Sequence, residues 1–224
     1  MRSAGVMPQR REQDRADAKA RVLLEAAGAV FAEKGFAGAT GKEICARAEV
    51  NAAAVNYYFG GIDGLYAAVL QDAHDRLLSY QAVSDAVAGQ SDPESKLRAL
   101  IGLIVRTLTG PASSSWMMRV LGREFLSPSP AMEALRRREL PRKAKIIQSI
   151  VSGVMGLPED HPAVARGCIT VMAPCIMLLV ADRRALKLAF PQLGLGAEDA
   201  DAIVQHMVRH AIAGLTAVSR SLRE

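Results

Sequence analysis

The sequence predicts an all-α protein of about nine helices, and three observations support this class. Aromatic residues make up only 4% of the 224 residues, so Ala, Leu, Val, Ile and Met must fill the interior, which suits helix-on-helix packing. Half of the residues are hydrophobic, which is ample for a core. After residue 62, no stretch is rich in strand-forming residues.

Residues 40–65 contain two short helices joined by a tight turn. Thr40 and Glu43 form a capping box: the hydroxyl accepts from the backbone N–H of Glu43, and the carboxylate reaches back to the Thr40 N–H. A helix therefore begins near Gly41. Asn51 is the N-cap of a second helix over residues 52–58, after a turn of about three residues. This spacing predicts a helix-turn-helix that reads DNA.

The second helix and its surroundings provide the side chains for DNA binding. Small residues at its start allow close approach to a base edge or a phosphate, and its amide and phenol groups can hydrogen-bond there. The predicted DNA-binding residues are Thr40, Lys42, Ala52, Ala53, Ala54, Asn56, Tyr57 and Tyr58.

Net charge alone does not locate the DNA-binding part. The chain carries +5, but residues 1–64 contain nine Lys/Arg and eight Asp/Glu, a balance of +1. Local placement decides phosphate attraction, and we expect a focused cationic surface from the helix-turn-helix and a flexible basic arm over residues 1–14. The cations concerned are Lys42, Arg47, Arg2, Arg10, Arg11 and Arg15.

The region over residues 16–69 resembles the TetR-type one-component transcriptional regulators. Their first helix ends in an F-x-x-x-G-F/Y motif, which stands here at residues 31–36. Other positions of the family pattern are filled by Thr40, Ile44, Ala48, Val50, Tyr57, Phe59 and Leu65. The resemblance implies an N-terminal three-helix DNA-binding domain over residues 15–61.

Three residues depart from the family pattern. Glu49 stands where the family has a turn glycine, and a left-handed backbone there would cost on the order of 1 kcal/mol. Tyr58 replaces the usual His. Ile62 replaces the usual Lys, which removes one expected phosphate contact.

Helical signals continue to the end of the chain. We expect a long first helix over residues 14–34 that Gly35 ends, and a fourth helix over residues 62–83 that connects both parts of the molecule. Further helices are predicted at residues 93–109, 112–126, 130–155 (with a kink at Pro141), 161–182 and 198–222, with a loop over 185–196.

Residues 62–224 form a predicted effector-binding and dimerisation domain. The helices at 161–182 and 198–222 are apolar enough to need burial on more than one side, in a monomeric core or in a four-helix dimer interface. One short reading helix contacts few bases, so a two-fold homodimer on two half-sites is favoured. Segments 119–135 and 157–168 also resemble the CecR-like subgroup, named for the cefoperazone and chloramphenicol sensitivity regulator, which implies an effector pocket among these helices.

A candidate pocket combines an aromatic ring, flexible thioethers and opposed charges, as adaptable small-molecule sites do. Its predicted ligand-binding residues are Trp116, Met118, Arg119, Glu124 and Met172. Ordinary packing with an Arg–Glu pair is the alternative.

We predict no enzyme activity, cofactor, catalytic residue or metal site. The sequence has no glycine-rich phosphate loop, G-x-S-x-G elbow or metal-ligand cluster. Cys168 and Cys175 share a helix face, and His206 and His210 lie four apart; buried structural cysteines and an exposed or dimer-facing histidine pair are favoured over metal binding.

The predicted function is a cytoplasmic DNA-binding regulator with three partners: a palindromic double-stranded operator, a second copy of itself and an unknown small-molecule effector. The resemblance makes it a repressor that the effector releases. The alternative is a ligand-binding helical dimer with weak or lost DNA binding. We expect no membrane partner, because the longest apolar run, residues 168–181, is short and contains Pro174. Three cysteines and no apolar leader favour a reducing compartment.

Overall fold

The computed structural model describes the backbone of residues 6–111 and 115–224, with side chains from residue 16 onward within those ranges. Eleven α-helices and one short 3-10 helix occur there, without a strand, which confirms the all-α prediction. The helices are α1 (Val6–Gly38), α2 (Gly41–Arg47), α3 (Ala54–Phe59), α4 (Ile62–Leu78), α5 (Tyr80–Ala88), α6 (Pro93–Thr109), α7 (Trp116–Leu126), α8 (Pro130–Met155), α9 (Pro162–Val180), α10 (Arg183–Ala189) and α11 (Ala200–Ser221).

The first helix extends further than the sequence predicts. It begins at Val6 rather than near residue 14, so the backbone of much of the expected arm is helical, while residues 1–5 of that arm lie outside the described residues. At the other end the prediction was right, because Gly35 leaves helical geometry with φ 73° and ψ 176°. Helix α1 therefore turns away at Gly35 before α2 begins.

Only one of the two bonds of the predicted capping box at the start of α2 forms. The Thr40 hydroxyl accepts from the Glu43 N–H at 3.2 Å, as predicted, and α2 begins at Gly41. The Glu43 carboxylate does not complete the box but pairs with Lys34 Nζ of α1 at 2.6 Å.

The turn before α3 is longer than predicted. Asn51 Oδ1 accepts from the Ala53 N–H at 2.8 Å, and regular helix starts at Ala54 rather than at residue 52. Within the described residues, Glu49 is the one non-glycine residue with positive φ, at 55°. The expected left-handed turn therefore forms despite the missing glycine.

Helix α4 belongs to two hydrophobic clusters. Val69 and Leu70 lie in the N-terminal core with Phe31 of α1 and Ile44 of α2, whereas Leu77 lies in the C-terminal core. The N-terminal core also includes Val120 of α7 and Met132 and Leu135 of α8. Both parts of the chain are thus packed around the same helix.

The predicted fourth helix is wrong beyond Leu78. Ser79 adopts an extended conformation (φ −61°, ψ 156°), and its hydroxyl accepts from the Ala82 N–H at 3.0 Å to start α5. Lys143 Nζ of α8 donates to the Leu78 carbonyl and so satisfies an acceptor that the break leaves free. No glycine or proline marks this break in the sequence.

The predicted loop at residues 185–196 is also wrong in part. Asp182 accepts from the Arg184 N–H at 2.8 Å and caps the short helix α10, and a 3-10 turn over Ala197–Asp199 precedes α11. The short helix α10, the 3-10 turn and the division of the fourth helix at Ser79 account for the difference from the nine helices that the sequence predicts.

Helix α9 agrees with the predicted helix at residues 161–182 and extends beyond the apolar run at residues 168–181. Of the described helices, it alone is long and apolar enough to cross a membrane by length and composition, with a mean hydropathy of 2.0, and 28% of that window is buried. Ile169 and Met177 are 70% and 56% exposed. An apolar face of α9 is therefore uncovered in the single chain.

A half-buried polar cluster joins α4 to α8. His74 Nε2 lies 2.5 Å from Lys143 Nζ and 4.0 Å from Glu139 Oε2, and His74 Nδ1 lies 3.2 Å from Asp75 Oδ1. Burial, then the nearby Lys143 ammonium, lowers the pKa of His74 below its usual 6.5. The imidazole is consequently held neutral, so that Nε2 accepts from Lys143.

Glu49→Gly should raise the free energy of unfolding by about 0.5 kcal/mol. The substitution relieves a left-handed conformation that costs about 1–2 kcal/mol, part of which the greater backbone freedom of unfolded glycine offsets. Urea unfolding measures the change. Glu49→Gln is the control, since it removes the charge and keeps the strain; equal stabilisation by both variants would contradict the backbone explanation.

Stability should fall as pH drops below about 6.5 through His74. Because its folded pKa is depressed, the unfolded chain binds more protons below about 6.5, and the stabilisation present above that pH is lost as pH falls through the folded pKa. His74→Gln should flatten the dependence of the melting temperature on pH. Parallel slopes for the two proteins would rule out this role for His74.

Candidate functional site

The exposed face of α2 and α3 carries most of the predicted DNA-binding residues. Lys42, Ala52, Ala53 and Asn56 are exposed, and Tyr57 is 80% exposed. Ile44 and Val55 are buried on the opposite side and fix both helices against α1 and α4. The helix-turn-helix thus presents a rigid polar surface.

Three of the predicted DNA-binding residues have structural roles. Ala54 is 9% exposed and packs in the N-terminal core, away from the exposed face. Thr40 uses its hydroxyl to cap α2. Tyr58 is half-buried against the core, and its ring meets the Tyr57 ring edge-on with centroids 4.8 Å apart. Tyr58 therefore orients Tyr57 as well as remaining partly accessible.

Charges around this surface are largely balanced. Arg47, expected to attract phosphate, donates two bonds to the Glu33 carboxylate of α1 at 3.0 and 3.1 Å, and these bonds lower the pKa of Glu33. Helix α3 has no charged side chain. Lys42 is the cation of α2 that has no ion pair among the described residues. Among the described residues of α2 and α3, Lys42 is therefore the cation available to a phosphate.

The departure at Ile62 has a structural basis. Ile62 is half-buried and packs against the N-terminal core at the start of α4. The next turn contains Gly64, where a Cβ would lie 1.9 Å from the Phe59 carbonyl oxygen. This contact needs glycine and sets how closely α4 follows the reading helix.

Helix α7 docks on the DNA-binding unit through Trp116. Its indole Nε1 donates to Glu25 Oε2 of α1 at 2.7 Å, and its ring lies so close to Gly28 that a Cβ there would be 2.4 Å from Trp116 Cδ2. Glu25 also pairs with Arg76 of α4 at 2.6 Å. The Trp116 side chain therefore joins α7 to α1.

Glu124 forms a second connection. It is 3% exposed and accepts from the Tyr66 hydroxyl of α4 and from the Ser129 N–H at 2.7 Å. Burial and the bond to Glu124 raise the pKa of Tyr66 well above its usual value, which keeps the phenol a donor. Glu124 therefore joins α4, α7 and the start of α8.

Between these contacts and α9 lies an interdomain cavity of about 390 Å³. Of the five predicted ligand-binding residues, Met118 and Arg119 line it, and Met172 packs against the C-terminal core elsewhere. The full lining comprises Ala32, Met118, Arg119, Gly122, Arg123, Leu126, Leu178, Leu179, Val180, Ala181 and Arg183.

Sequence reasoning missed Arg183, because the meeting of α7 with the residues that follow α9 is a tertiary event. One signal was available for the neighbouring contact. Gly28 lies inside a helical segment, where glycine is unfavourable unless another group approaches closely. It could have indicated the docking of the single Trp.

The cysteines and histidines singled out in the sequence are placed apart from this cavity. Cys175 is buried, which raises its pKa to about 11, and Cys168 is half-buried. His206 and His210 are exposed on α11. Among the described residues, no group of three or more His, Cys, Asp or Glu could hold a metal ion.

Known proteins match both parts of the chain. The model described as "Bacterial regulatory proteins, tetR family" matches residues 23–69, and "HTH-type transcriptional dual regulator CecR, C-terminal domain" matches residues 93–218. The chain is 35% identical over 125 residues to the HTH-type transcriptional regulator BetI 2 of Chromohalobacter salexigens, covering 52% of this chain and 53% of the relative. It is 26% identical over 129 residues to a relative named "Probable HTH-type transcriptional regulator YttP" from Bacillus subtilis, covering 58% of this chain and 61% of the relative.

The chain thus spans 53 to 61% of the length of these relatives. A solved structure agrees in fold: a transcriptional regulator of the TetR/AcrR family from Thermobifida fusca superposes with a TM-score of 0.62 at 20% identity, over 88% of this chain and 98% of that one. The C-terminal match alone, residues 93–218, includes more than half of the 224 residues. The chain belongs to the TetR family of helix-turn-helix transcriptional regulators and has a C-terminal domain of the CecR type.

Proposed function

We propose that this protein represses transcription as a homodimer on a palindromic operator and is released by a small-molecule effector. The observation that supports it most directly is the exposed face of α3, with Tyr57 held outward by the buried side of a correctly formed helix-turn-helix. An operator-binding protein works where the chromosome is, so we also propose a cytoplasmic location.

The proposal of a dimer is supported by the uncovered apolar surface of α9 and α11. Beyond Ile169 and Met177, Val218 of α11 is 48% exposed. A groove of about 320 Å³ runs between the two helices, with Gly167 and Gly214 in its lining. Gly214 is exposed with open space beside it, which allows a second copy to approach closely, and a four-helix bundle would cover α9 without any membrane.

In this proposal the effector binds in the interdomain cavity, where it contacts Met118 and Arg119 of the five predicted ligand-binding residues. Ala32 of α1 also lines this cavity, so a ligand there touches the DNA-binding unit as well as α7 and α9. Displacement of α7 would pull on α1 through Trp116 and on α4 through Glu124. The separation of two heads that match half-sites about 34–36 Å apart would then change.

A gel shift with the DNA upstream of the gene tests the function. Sequence-selective binding that weakens steeply with salt supports an operator-binding regulator. Weak binding without sequence preference would instead favour a ligand-binding helical dimer that has lost DNA recognition, the alternative that Glu49 and Ile62 suggest.

Tyr57→Ala should weaken operator binding by on the order of 1 kcal/mol or more at fixed salt, while helical content is unchanged. The side chain is 80% exposed, so little folding energy depends on it. Tyr57→Phe separates the hydroxyl from the ring: a loss equal to that of the Ala variant assigns the contact to the hydroxyl. Full affinity in both variants would remove Tyr57 from the interface.

Ile169→Glu should convert the dimer to a monomer and reduce operator affinity, because it introduces a charge into the α9 face. Sedimentation at micromolar concentration should give about twice 23.9 kDa for the unmodified protein and 23.9 kDa for the variant. Leu140→Glu, at a residue 60% exposed on α8, is the matched control. A monomeric unmodified protein on its operator would be incompatible with the proposed dimer.

A further inference from the structure

The charged lining of the interdomain cavity is entirely cationic. Arg119 and Arg123 come from α7 and Arg183 from the start of α10, and no described Asp or Glu lines the cavity. Three arginines in the lining of one small space give it a positive potential, which favours an anion.

Existing contacts do not supply this anion. Arg183 donates to the backbone carbonyls of Leu108 and Leu195, the latter at 3.2 Å. Arg123 has one long bond to the Phe31 carbonyl at 3.5 Å. These acceptors are neutral, so they orient the arginines without cancelling their charge.

The carboxylate that acts on Arg119 is already engaged. Glu33 interacts electrostatically with Arg119, but both of its oxygens accept from Arg47. Arg119 itself has no hydrogen bond or ion pair among the described residues and lies exposed at the cavity. Its donors are available to a ligand.

The rest of the lining is apolar. Met118, Leu126, Leu178 and Leu179 contribute side chains, and the volume of about 390 Å³ lies within the range of about 300–1,000 Å³ for small-molecule pockets. Guanidinium groups bind carboxylate and phosphate oxygens through paired N–H donors. The cavity therefore combines a head-group site with a hydrophobic wall.

We propose that the interdomain cavity binds an amphiphilic oxyanion, with a single carboxylate or phosphate head at Arg119 and Arg123 and an apolar body against α7 and α9. The effect of this ligand on DNA rests on the proposed function, but its binding to the cavity does not, because binding needs no operator. Neutralising the arginines would draw α7 and the end of α9 together and alter the contact with Ala32 of α1.

The molecule offers a competing cationic site for comparison. A groove of about 460 Å³ between α5, α6 and α8 is lined by Lys96, Arg142 and Lys145, with the Arg142 guanidinium 4.0 Å from the centre of the Tyr80 ring. This groove does not touch the DNA-binding helices, so it provides a control for simple attraction of anions to a basic surface.

Titration of the full chain with octanoate, octyl phosphate, octanamide and octylammonium tests the ligand class, with calorimetry and the fluorescence of the single Trp116 as readouts. At least one oxyanion should bind about tenfold or more tightly than octanamide, as charge-assisted bonds predict. Arg119→Gln should abolish this preference without changing octanamide binding, and Arg119→Lys should partly retain it. Arg142→Gln should have no effect.

Equal binding of octanamide, tighter binding of octylammonium, or loss of oxyanion binding in Arg142→Gln but not in Arg119→Gln would each overturn the proposal. Repeating the titration with operator bound separates the two hypotheses. Oxyanion binding at Arg119 that leaves operator affinity unchanged supports the ligand class and contradicts the effector mechanism. If another compound releases the operator and no oxyanion binds, the result supports the effector mechanism and contradicts the ligand class.

Discussion

The relation between the two halves of the protein depends on a buried carboxylate. Glu124 is almost fully removed from water, and a carboxylate in that position is costly unless donors satisfy it. Tyr66 of α4 and the backbone N–H of Ser129 supply them. Losing one partner of such a group typically costs about 1–3 kcal/mol, so slippage of α7 along α4 is opposed by more than lost apolar contact. The bond therefore fixes the register in which Val120 and Met132 enter the N-terminal core.

Helix α4 is held at both of its ends and at one point between them. Its 17 residues correspond to about 25 Å, from the end of the reading helix to the break at Ser79. Lys143 holds the Leu78 carbonyl at one end, and the close packing of Gly64 on Phe59 fixes the other. Between them, Tyr66 is bonded to α7. A change in α7 consequently acts on the middle of a helix whose two ends are constrained.

Much of the fold could be predicted because its signals are local. The Thr40 cap, the stop at Gly35 and the proline starts at Pro93, Pro130 and Pro162 depend on residues within one turn, and the structure confirms each. The break at Ser79 could not be predicted in the same way, because the group that satisfies the freed carbonyl lies on α8. Likewise, the sequence located Met118 and Arg119 within one helix, but only tertiary packing brings Arg183 to them.

The same distinction explains why two predicted ligand-binding side chains make contacts between helices. Trp116 and Glu124 have the chemistry of ligand-binding residues, and the structure uses that chemistry to join helices: an indole N–H to Glu25 and a carboxylate to Tyr66. Composition cannot separate these uses, because both need polar groups beside apolar ones. Ala54 differs from its neighbours Ala52 and Ala53 in that it packs in the N-terminal core, whereas they are exposed.

The distribution of charge also constrains how repression could be controlled. The reading helix has no charged side chain, and Arg47 is occupied by Glu33, so Lys42 is the unpaired cation of the described α2 and α3. In the proposed dimer, affinity would come from two heads bound at once, which requires their spacing to match the operator. An effector does not need to disrupt either head under this arrangement. A difference of about 1–3 kcal/mol between the two spacings suffices for a 5- to 150-fold release, and by reciprocity bound operator weakens the effector by the same factor.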